Sequence, residues 1–484
     1  MKPRTLAVLL ALVVGLGAFI WFYEREQPGS EEREALARRV LGVEREQVAR
    51  LELHAGERSV VLERTRREGV DGVEQDEWRL RRPLDFAADY WQVDGLVRTL
   101  AELERVRQLE EFVPADVGLD PPRGRIVVEL EGGGRKELRV GAEVPGSENL
   151  IVAVEGEPFA SVVPKTLWES LVTDAADWRD EDLFAAERDD VREIVVESAS
   201  VAAVRLAREE DGTDGDFRLA APLEDRADQD AVTALLRELT GLRASEFLDA
   251  PPPAAEIGLE PPRARLVATL DDGEPFVLLW GAAKEGTEEN YVKVGDLVVT
   301  TTAALEELLL RPAAEWRSRD WSSLAIYQVD QVEIGDTEGT LSLTRDEGSW
   351  LRGEARIDQG SVSAFLYAID DAVAERIADP GEIALQQPDL TVTLATSPDP
   401  VAGGATPEGG SPEEAREERL ELYAPTPDNL VPARVTGRDA ILLLRRETRD
   451  EILAKLQAVR AAEAAGEEPS GEEQPSPDAE SAED

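Results

Sequence analysis

An α+β fold is predicted for this chain: an N-terminal transmembrane helix, then three related mixed domains of antiparallel strands with two helices each. Three observations predict it. Residues 78–89 (WRLRRPLDFAAD) return as residues 217–228 (FRLAAPLEDRAD) and, less completely, as residues 350–358 (WLRGEARID). The aromatic residues that open the three copies are 139 and 133 residues apart, which indicates duplicated domains rather than a solenoid of short units. An N-terminal apolar run and a length of 484 residues, enough for about three domains, complete the prediction.

The repeated stretch predicts a strand that leads into a helix. Trp78 and Leu80 alternate as on a strand with one buried face, and the following proline ends the strand because it has no N–H to donate. Asp89, Asp228 and Asp358 each precede an apolar stripe at helical spacing, where a carboxylate can cap the helix. The stripes are Val93, Leu96, Val97, Leu100 and Leu103 in the first copy, Val232, Leu235, Leu236 and Leu239 in the second, and Val362, Phe365, Leu366 and Ile369 in the third.

Further elements recur after the helix. A loop containing proline leads into a strand in each copy, at residues 117–130, 257–270 and 385–394. Another strand begins at an asparagine in each copy, namely Asn149, Asn290 and Asn429. A second helix is predicted near the end of each copy, at residues 165–171, 302–309 and 448–456.

The repeats and the composition shifts between them predict the domain boundaries. The predicted parts are a membrane anchor at 1–23, a juxtamembrane spacer at 24–46, repeat domains at 47–185, 186–322 and 323–456, a flexible insertion within the third repeat at 397–414, and a disordered acidic tail at 457–484. The insertion is rich in Pro, Gly, Ala and Glu, which is typical of a flexible surface loop. The last 24 residues contain nine acidic residues and no basic one, a composition that does not support a packed core.

The N-terminal segment predicts the cellular location. Residues 6–23 form an uninterrupted apolar run of 18 residues, near the lower limit for a helix that crosses a bilayer, and it ends in Trp21, Phe22 and Tyr23. Lys2 and Arg4 before the run predict a cytoplasmic N-terminus. A cleaved signal peptide is the alternative, but no small-x-small cleavage site follows, so an anchor is favoured. The protein is therefore predicted to be a single-pass inner-membrane protein with its bulk in the periplasm or outside the cell.

Charge and composition exclude several classes of function. The chain has 53 basic and 102 acidic residues, a formal charge of −49, which argues against nucleic acid and anionic lipid headgroups as ligands of the soluble part. The absence of cysteine excludes disulfides and thiolate metal sites. The single histidine, His54, is predicted to be a strand-end residue, and one histidine is too few for most zinc sites. We predict no catalytic residues, no cofactor, no metal and no enzymatic activity.

Four features have a functional alternative to their structural interpretation. The three capping aspartates could form a repeated acidic site, but a catalytic residue rarely needs to recur in every copy. Residues 132–134 could bind phosphate, but no phosphate-loop motif surrounds them, so a tight turn is predicted. The acidic residues 209–216 resemble a calcium loop in composition only and are predicted to form a hairpin turn. Trp178 and Trp316 could be binding platforms, but buried packing that pins each domain to the next is favoured.

Together these features resemble the DUF4340 family, a group of bacterial membrane-anchored proteins of unknown biochemical activity. The resemblance is carried by the anchor, by the motif of residues 78–89 with its leucine-striped helix, and by the GLDPP loop of residues 118–122. It covers nearly the whole chain outside the insertion and the tail. The resemblance implies an extracytoplasmic accessory of ABC-type transport systems, of the kind linked with gliding motility.

The favoured function is a membrane-anchored extracytoplasmic accessory or scaffold of repeated α+β domains. Its expected partners are the membrane, through the N-terminal helix, and an ABC-type transport complex; no nucleic acid is expected. The alternative is a solute- or polysaccharide-binding subunit, which a deep cleft would favour. A hydrolase based on two carboxylates is the third hypothesis, although no pair of carboxylates stands out in the sequence.

Overall fold

The computed structural model describes residues 38–68, 74–209, 216–271, 273–396 and 416–465. The predicted anchor at residues 6–23 lies outside these ranges. Within them, no helix combines the length and the apolar character needed to cross a bilayer. The first repeat forms one compact unit that ends at Asp182, and the second and third repeats together form another that begins at Leu183.

In the described residues of the first repeat there are nine strands and two α-helices. In chain order these are β1 Val48–Ala55, β2 Arg58–Glu68, β3 Glu74–Arg82, β4 Phe86–Ala87, α1 Tyr90–Ala101, β5 Arg107–Leu109, β6 Gly124–Leu130, β7 Arg135–Glu143, β8 Asn149–Val154, β9 Ala160–Pro164 and α2 Thr166–Val172.

The second and third repeats contain the same elements in the same order. The second consists of β10 Val191–Ser198, β11 Val204–Arg208, β12 Phe217–Ala221, β13 Asp225–Arg226, α3 Gln229–Thr240, β14 Glu246–Phe247, β15 Ala264–Leu270, β16 Pro275–Ala283, β17 Asn290–Val294, β18 Leu297–Thr301 and α4 Glu306–Leu309. The third consists of β19 Gln331–Asp336, β20 Gly339–Asp346, β21 Ser349–Arg352, β22 Ala355–Arg356, α5 Gln359–Asp370, β23 Arg376–Ala378, β24 Leu390–Ala395, β25 Glu417–Leu422, β26 Leu430–Val435, β27 Ile441–Arg445 and α6 Arg446–Ala465.

One sheet topology is used three times. Each repeat forms a nine-stranded sheet, ordered β4-β3-β2-β1-β6-β7-β8-β9-β5 in the first repeat and equivalently in the others. Every pairing is antiparallel, which suits a sheet with one face on a core and one face toward solvent. The prediction of three related domains of antiparallel strands with helices is therefore confirmed for the described residues.

The aromatic residues and apolar stripes predicted from the repeated stretch lie in the cores, and its aspartates cap the helices. Trp78, Phe217 and Trp350 are each no more than 3% exposed, and the apolar stripes of α1, α3 and α5 are buried beneath them. The three aspartates cap these helices through their side chains. Asp89 accepts a hydrogen bond from the backbone N–H of Gln92 at 2.8 Å. Asp228 accepts one from Ala231 at 3.1 Å, and Asp358 accepts one from Ser361 at 2.8 Å. In Asp358, the hydrogen bonds from Ser361 lower the pKa of the carboxyl group.

The second helix varies most between the copies. It has seven residues in α2 and four in α4, which is shorter than the predicted 302–309. In the third repeat α6 has 20 residues and continues to Ala465, beyond the boundary predicted at 456. Ile452, Leu456 and Val459 are fully buried on one side of this helix, so its second half is held by core packing and the tail begins later than predicted.

The repeat domains also begin earlier than predicted. Val40, Leu41 and Val43, assigned to the spacer, are at most 3% exposed and pack in the first core. A backbone hydrogen bond from Val40 N to Leu103 O at 2.7 Å also ties this segment to the repeat. Phe184, placed at the end of the first repeat, is buried in the second core. Trp321, placed at the end of the second repeat, is buried in the third core, where its Nε1 donates to Ile369 O at 2.7 Å.

Trp178 and Trp316 are buried, as predicted, but in the cores of their own repeats rather than as pins to the next. The insertion predicted at 397–414 falls between β24 and β25, which pair directly with each other. Its residues lie outside the described ranges, and the pairing shows that the sheet continues across it.

Replacing Trp78 with alanine removes a large buried side chain, so we expect the first repeat to lose about 3–5 kcal/mol of stability. Asp89→Ala removes one cap and is expected to cost about 1 kcal/mol. Urea-dependent hydrogen exchange of peptides from the first repeat measures both, because a chain of several domains does not unfold in two states. Arg79→Ala, on the exposed side of the same strand, is the control; a loss equal to that of Trp78→Ala would contradict the assignment of the core.

Candidate functional site

The second and third repeats meet at a cluster of four buried charges and one partly buried arginine, which we call the junction cluster: Asp225, Arg226, Arg317, Glu418 and Arg438. Eight polar or charged residues are buried in the described part of the chain, and four of them belong to this cluster. Buried charges are rare unless they are paired. The concentration of charge at one place makes the junction the strongest candidate for a specialised site.

Three parts of the fold bring these side chains together. Asp225 and Arg226 form β13, the edge strand of the second sheet. Arg317 follows the second repeat, in the segment that leads toward β19. Glu418 lies on β25 and Arg438 in the turn between β26 and β27, both in the third repeat.

Asp225 is the centre of the cluster. Its carboxylate side chain is 1% exposed and accepts from Nε of Arg317 at 2.6 Å and from Nε of Arg438 at 2.6 Å. Arg438 Nη2 donates a further bond at 3.3 Å, and the backbone N–H of Arg226 donates at 2.9 Å. Four donors around one carboxylate satisfy its lone pairs, which is the condition for keeping a charge buried.

A second ion pair extends the cluster toward the surface. Arg226 Nη2 donates to Glu418 Oε1 at 2.6 Å, and Nη1 donates to the carbonyl of Trp321 at 3.0 Å. The Glu418 carboxylate also accepts from the hydroxyl of Ser323 at 2.9 Å and from its backbone N–H. Both repeats and the segment between them are therefore tied by charge-assisted hydrogen bonds.

The charged side chains of the cluster are suited to holding the two repeats in a fixed arrangement and not to transferring protons. Burial lowers the pKa of Arg438 from its ordinary value, and the Asp225 carboxylate opposes this shift. Arginine remains protonated in proteins, so the guanidinium acts as a permanent cation. Removing one partner of such a buried pair is strongly destabilising, because it leaves an uncompensated charge in the interior.

A polar cavity of about 890 Å³ opens beside the junction cluster. Five arginines and five carboxylates line it: Arg218, Arg226, Arg419, Arg434, Arg438, Glu209, Glu224, Asp225, Glu421 and Asp439. Several are paired with one another, as Arg218 is with Glu224 at 2.6 Å. These walls present both hydrogen-bond donors and acceptors, and the described residues that line the cavity include no aromatic side chain.

The capping aspartates, the glycine turn at residues 132–134 and the acidic stretch at residues 209–216 supply no member of the junction cluster, although Glu209 lines the cavity beside it. The three aspartates cap their helices, one in each repeat, and are not brought together. Gly132 and Gly133, both with φ of +89°, form the tight turn between β6 and β7, as predicted. In the acidic stretch, Glu209 N donates to Asp216 O at 2.8 Å, while residues 210–215 lie outside the described ranges.

No set of three His, Cys, Asp or Glu side chains in the described ranges is arranged to share a metal ion. His54 lies near the end of β1, with 27% of its side chain exposed, 3.7 Å from the carboxylate of Glu52. Its position at the strand end is the predicted one.

The sequences of the three copies contain a signal for the junction cluster that the repeated motifs do not show. Asp225 occupies the position that Phe86 holds in the first repeat and Ala355 in the third. A charge at a position that is apolar in the other copies marks a local departure from the shared fold. Its partners could not be read from the sequence, because Arg317 and Arg438 lie 92 and 213 residues away.

Within the described residues, replacing Asp225 with alanine leaves Arg438 buried without a counter-charge and leaves Arg317 with Asp379 as its only carboxylate, so we expect a loss of about 3–5 kcal/mol in the unit that contains both repeats. Glu224→Ala, which removes the exposed partner of Arg218, is the matched control and is expected to cost at most about 1 kcal/mol. Hydrogen exchange of peptides covering residues 318–323 and 435–440 measures the difference. Equal protection in the two variants would contradict a structural role for Asp225.

The comparisons with known proteins agree with the repeat structure. The model of one family, described as a domain of unknown function (DUF4340), matches residues 78–262 and 218–389. The matches begin in β3 and β12, the equivalent strands of the first and second repeats, and together span more than half of the 484 residues. No curated protein and no solved structure matches the chain. The chain therefore belongs to the DUF4340 family.

Proposed function

We propose that the protein is a membrane-anchored extracytoplasmic accessory or scaffold that associates with an ABC-type transport complex and acts by binding rather than catalysis. The apolar run at residues 6–23, with basic residues before it, supports the anchor. The DUF4340 resemblance supports the link with transport systems.

The three copies separate what the fold needs from what it does not. The core aromatics, the apolar stripes and the capping aspartates recur because each sheet and helix depends on them. A residue that serves a partner has no reason to recur. Side chains present in one copy only, and exposed there, are therefore the best candidates for function.

The observation that carries the proposal is an exposed aromatic pair on the first repeat. Trp91 is 80% exposed and Tyr90 40% exposed, with their rings in an edge-to-face arrangement 5.3 Å apart. The equivalent residues of the second repeat are Gln229 and Asp230, so the fold does not require aromatics here. Tryptophan and tyrosine dominate the binding energy of protein interfaces, and an exposed pair is suited to a protein partner.

The polar cavity favours one alternative, a solute- or polysaccharide-binding subunit. Its arginines and carboxylates can hydrogen-bond to sugar hydroxyl groups. Saturable binding of an oligosaccharide to the purified protein, lost in Arg434→Ala, would replace the scaffold by this alternative. Turnover of such a ligand, lost in Glu421→Gln, would instead support a carboxylate-based hydrolase.

The anchor predicts the topology of the chain. A reporter that is active only in the periplasm, fused after residue 484, should be active, and a reporter that is active only in the cytoplasm should be silent. Cells that carry the fusion without residues 1–23 provide the control, because that protein should remain in the cytoplasm. The opposite pattern for the intact fusion would contradict the proposed location.

The aromatic pair predicts a partner. Full-length protein, purified from gently solubilised membranes, should be recovered with subunits of an ABC-type transporter, and Trp91→Ala should reduce their recovery about tenfold or more, as expected for an interface hot spot. Asp230→Ala, the equivalent position of the second repeat, is the matched control and should have no effect. Unchanged recovery in Trp91→Ala, with stability equal to that of the control, would contradict a role for the pair.

A further inference from the structure

Each sheet ends on one side at a short strand, β4, β13 or β22, and we call this side the outer edge. The outer edge is covered in the first two repeats. A short segment that follows each repeat returns to the edge strand and adds to it in the antiparallel direction. We call it the closing segment; it comprises residues 177–180 in the first repeat and 315–318 in the second. Its central residues form antiparallel bridges, Arg179 with Ala88 and Arg317 with Ala227.

The two closing segments make the same pair of backbone hydrogen bonds. In the first repeat Asp89 N donates to Trp178 O at 3.0 Å, and Asp180 N donates to Ala87 O at 3.0 Å. In the second repeat Asp228 N donates to Trp316 O at 2.8 Å, and Ser318 N donates to Arg226 O at 2.9 Å. In each repeat, one C=O and one N–H of an extended segment, two residues apart, therefore make hydrogen bonds to the backbone N–H and C=O groups of the edge.

The third repeat builds the same edge without a closing segment among the described residues. Ile357 N donates to Trp350 O at 3.0 Å, as Ala88 N does to Trp78 O at 2.9 Å, so the backbone follows the same course. The chain then passes from β27 directly into α6, which packs on the core. Within the described ranges no group pairs with Asp358 N or Arg356 O, the counterparts of the bonded groups in the other copies.

We infer that the outer edge of β22 is a strand-addition site, which takes an extended segment of a partner protein in the antiparallel direction. The segment presents a carbonyl to Asp358 N and, two residues later, an N–H to Arg356 O. Main-chain hydrogen bonds of this kind are a common mode of peptide recognition. An edge of two residues, one of them arginine, is too short and too charged to pair indiscriminately.

The side chains along the edge indicate what the partner carries. Arg356 is the counterpart of Arg226, which pairs with Glu418 of the following repeat in the junction cluster. Arg356 is exposed and has no ion pair within the described ranges, so a carboxylate on the partner would complete the equivalent contact. In the second repeat, Asp225 binds Arg317, which lies between the two residues that hydrogen-bond to the edge. The equivalent of Asp225 in the third repeat is Ala355, so the partner does not need an arginine at that place. The occupant is therefore an acidic, extended segment.

A peptide from this chain provides a probe with the required backbone pattern. Residues 174–183 contain the closing segment of the first repeat and carry Asp180, Glu181 and Asp182 after Trp178. We expect the labelled peptide to bind the full chain in detergent saturably, measured by fluorescence anisotropy. The closing segments already occupy the equivalent edges of the first two repeats, so β22 is the one of these three equivalent edges that remains for the peptide.

Two matched pairs of changes test the site. Asp358→Pro removes both the backbone N–H donor and the helix cap, whereas Asp358→Ala removes the cap alone. The proline variant should therefore bind the peptide about tenfold more weakly than the alanine variant, which is the effect of one lost hydrogen bond. On the peptide, N-methylation at Asp180 should abolish binding, and N-methylation at Arg179 should preserve it, because alternate N–H groups of a strand point away from the edge. The peptide series does not depend on the folding of any protein variant.

Each other outcome overturns the inference. Equal binding to the proline and alanine variants, or equal binding of the two methylated peptides, would show that the peptide binds elsewhere. The absence of saturable binding at millimolar peptide would show that the edge does not accept a strand. Tighter binding after removal of residues 466–484 would identify the chain's own acidic tail, rather than a partner, as the occupant. The test is independent of the transporter association, since it involves neither a transporter nor Trp91.

Discussion

Backbone hydrogen bonding at the outer edge of each sheet is the constraint on which the arrangement of the repeats depends. A nine-stranded open sheet leaves N–H and C=O groups at its ends, and proteins normally cover or blunt such edges. Here the segment that leaves a repeat first returns to close that repeat's own edge, placing Trp178 or Trp316 in its core. The closing segment thus joins edge, core and connection in a few residues.

The junction cluster follows from the same constraint. Because the closing segment of the second repeat lies along β13, it brings Arg317 beside Asp225 at the edge strand. In the first repeat the equivalent arginine, Arg179, lies over the ring of Phe86 at 5.9 Å. One change at the edge position, from aromatic to carboxylate, converts a packing contact into a buried ion pair, which Arg438 of the third repeat then completes. The first two repeats therefore share the same backbone arrangement and differ in the contact that this edge position makes.

Local features of this fold could be predicted from the sequence, and distant pairings could not. The alternation of Trp78 and Leu80 predicts a strand, and Asp89 with the apolar stripe after it predicts a capped helix. Both patterns can be recognised because their residues lie close together in the sequence. One boundary error had a readable signal: Val459 continues the helical spacing of Ile452 and Leu456, yet the acidic composition of the residues that follow favoured a tail. The contact between Asp225 and Arg438 has no local signal, since it depends on how two complete sheets pack.

Amide hydrogen exchange at the three equivalent edge positions tests the central claim most directly, by comparing the backbone N–H of Asp89, Asp228 and Asp358 in the isolated protein. The account predicts strong protection at Asp89 and Asp228, where closing segments accept the hydrogen bonds, and exchange at Asp358 near the rate of an unprotected amide. Equal protection at all three positions would show that the third edge is already covered. Equal lack of protection would show that the closing segments do not hold the edges, and would contradict the account.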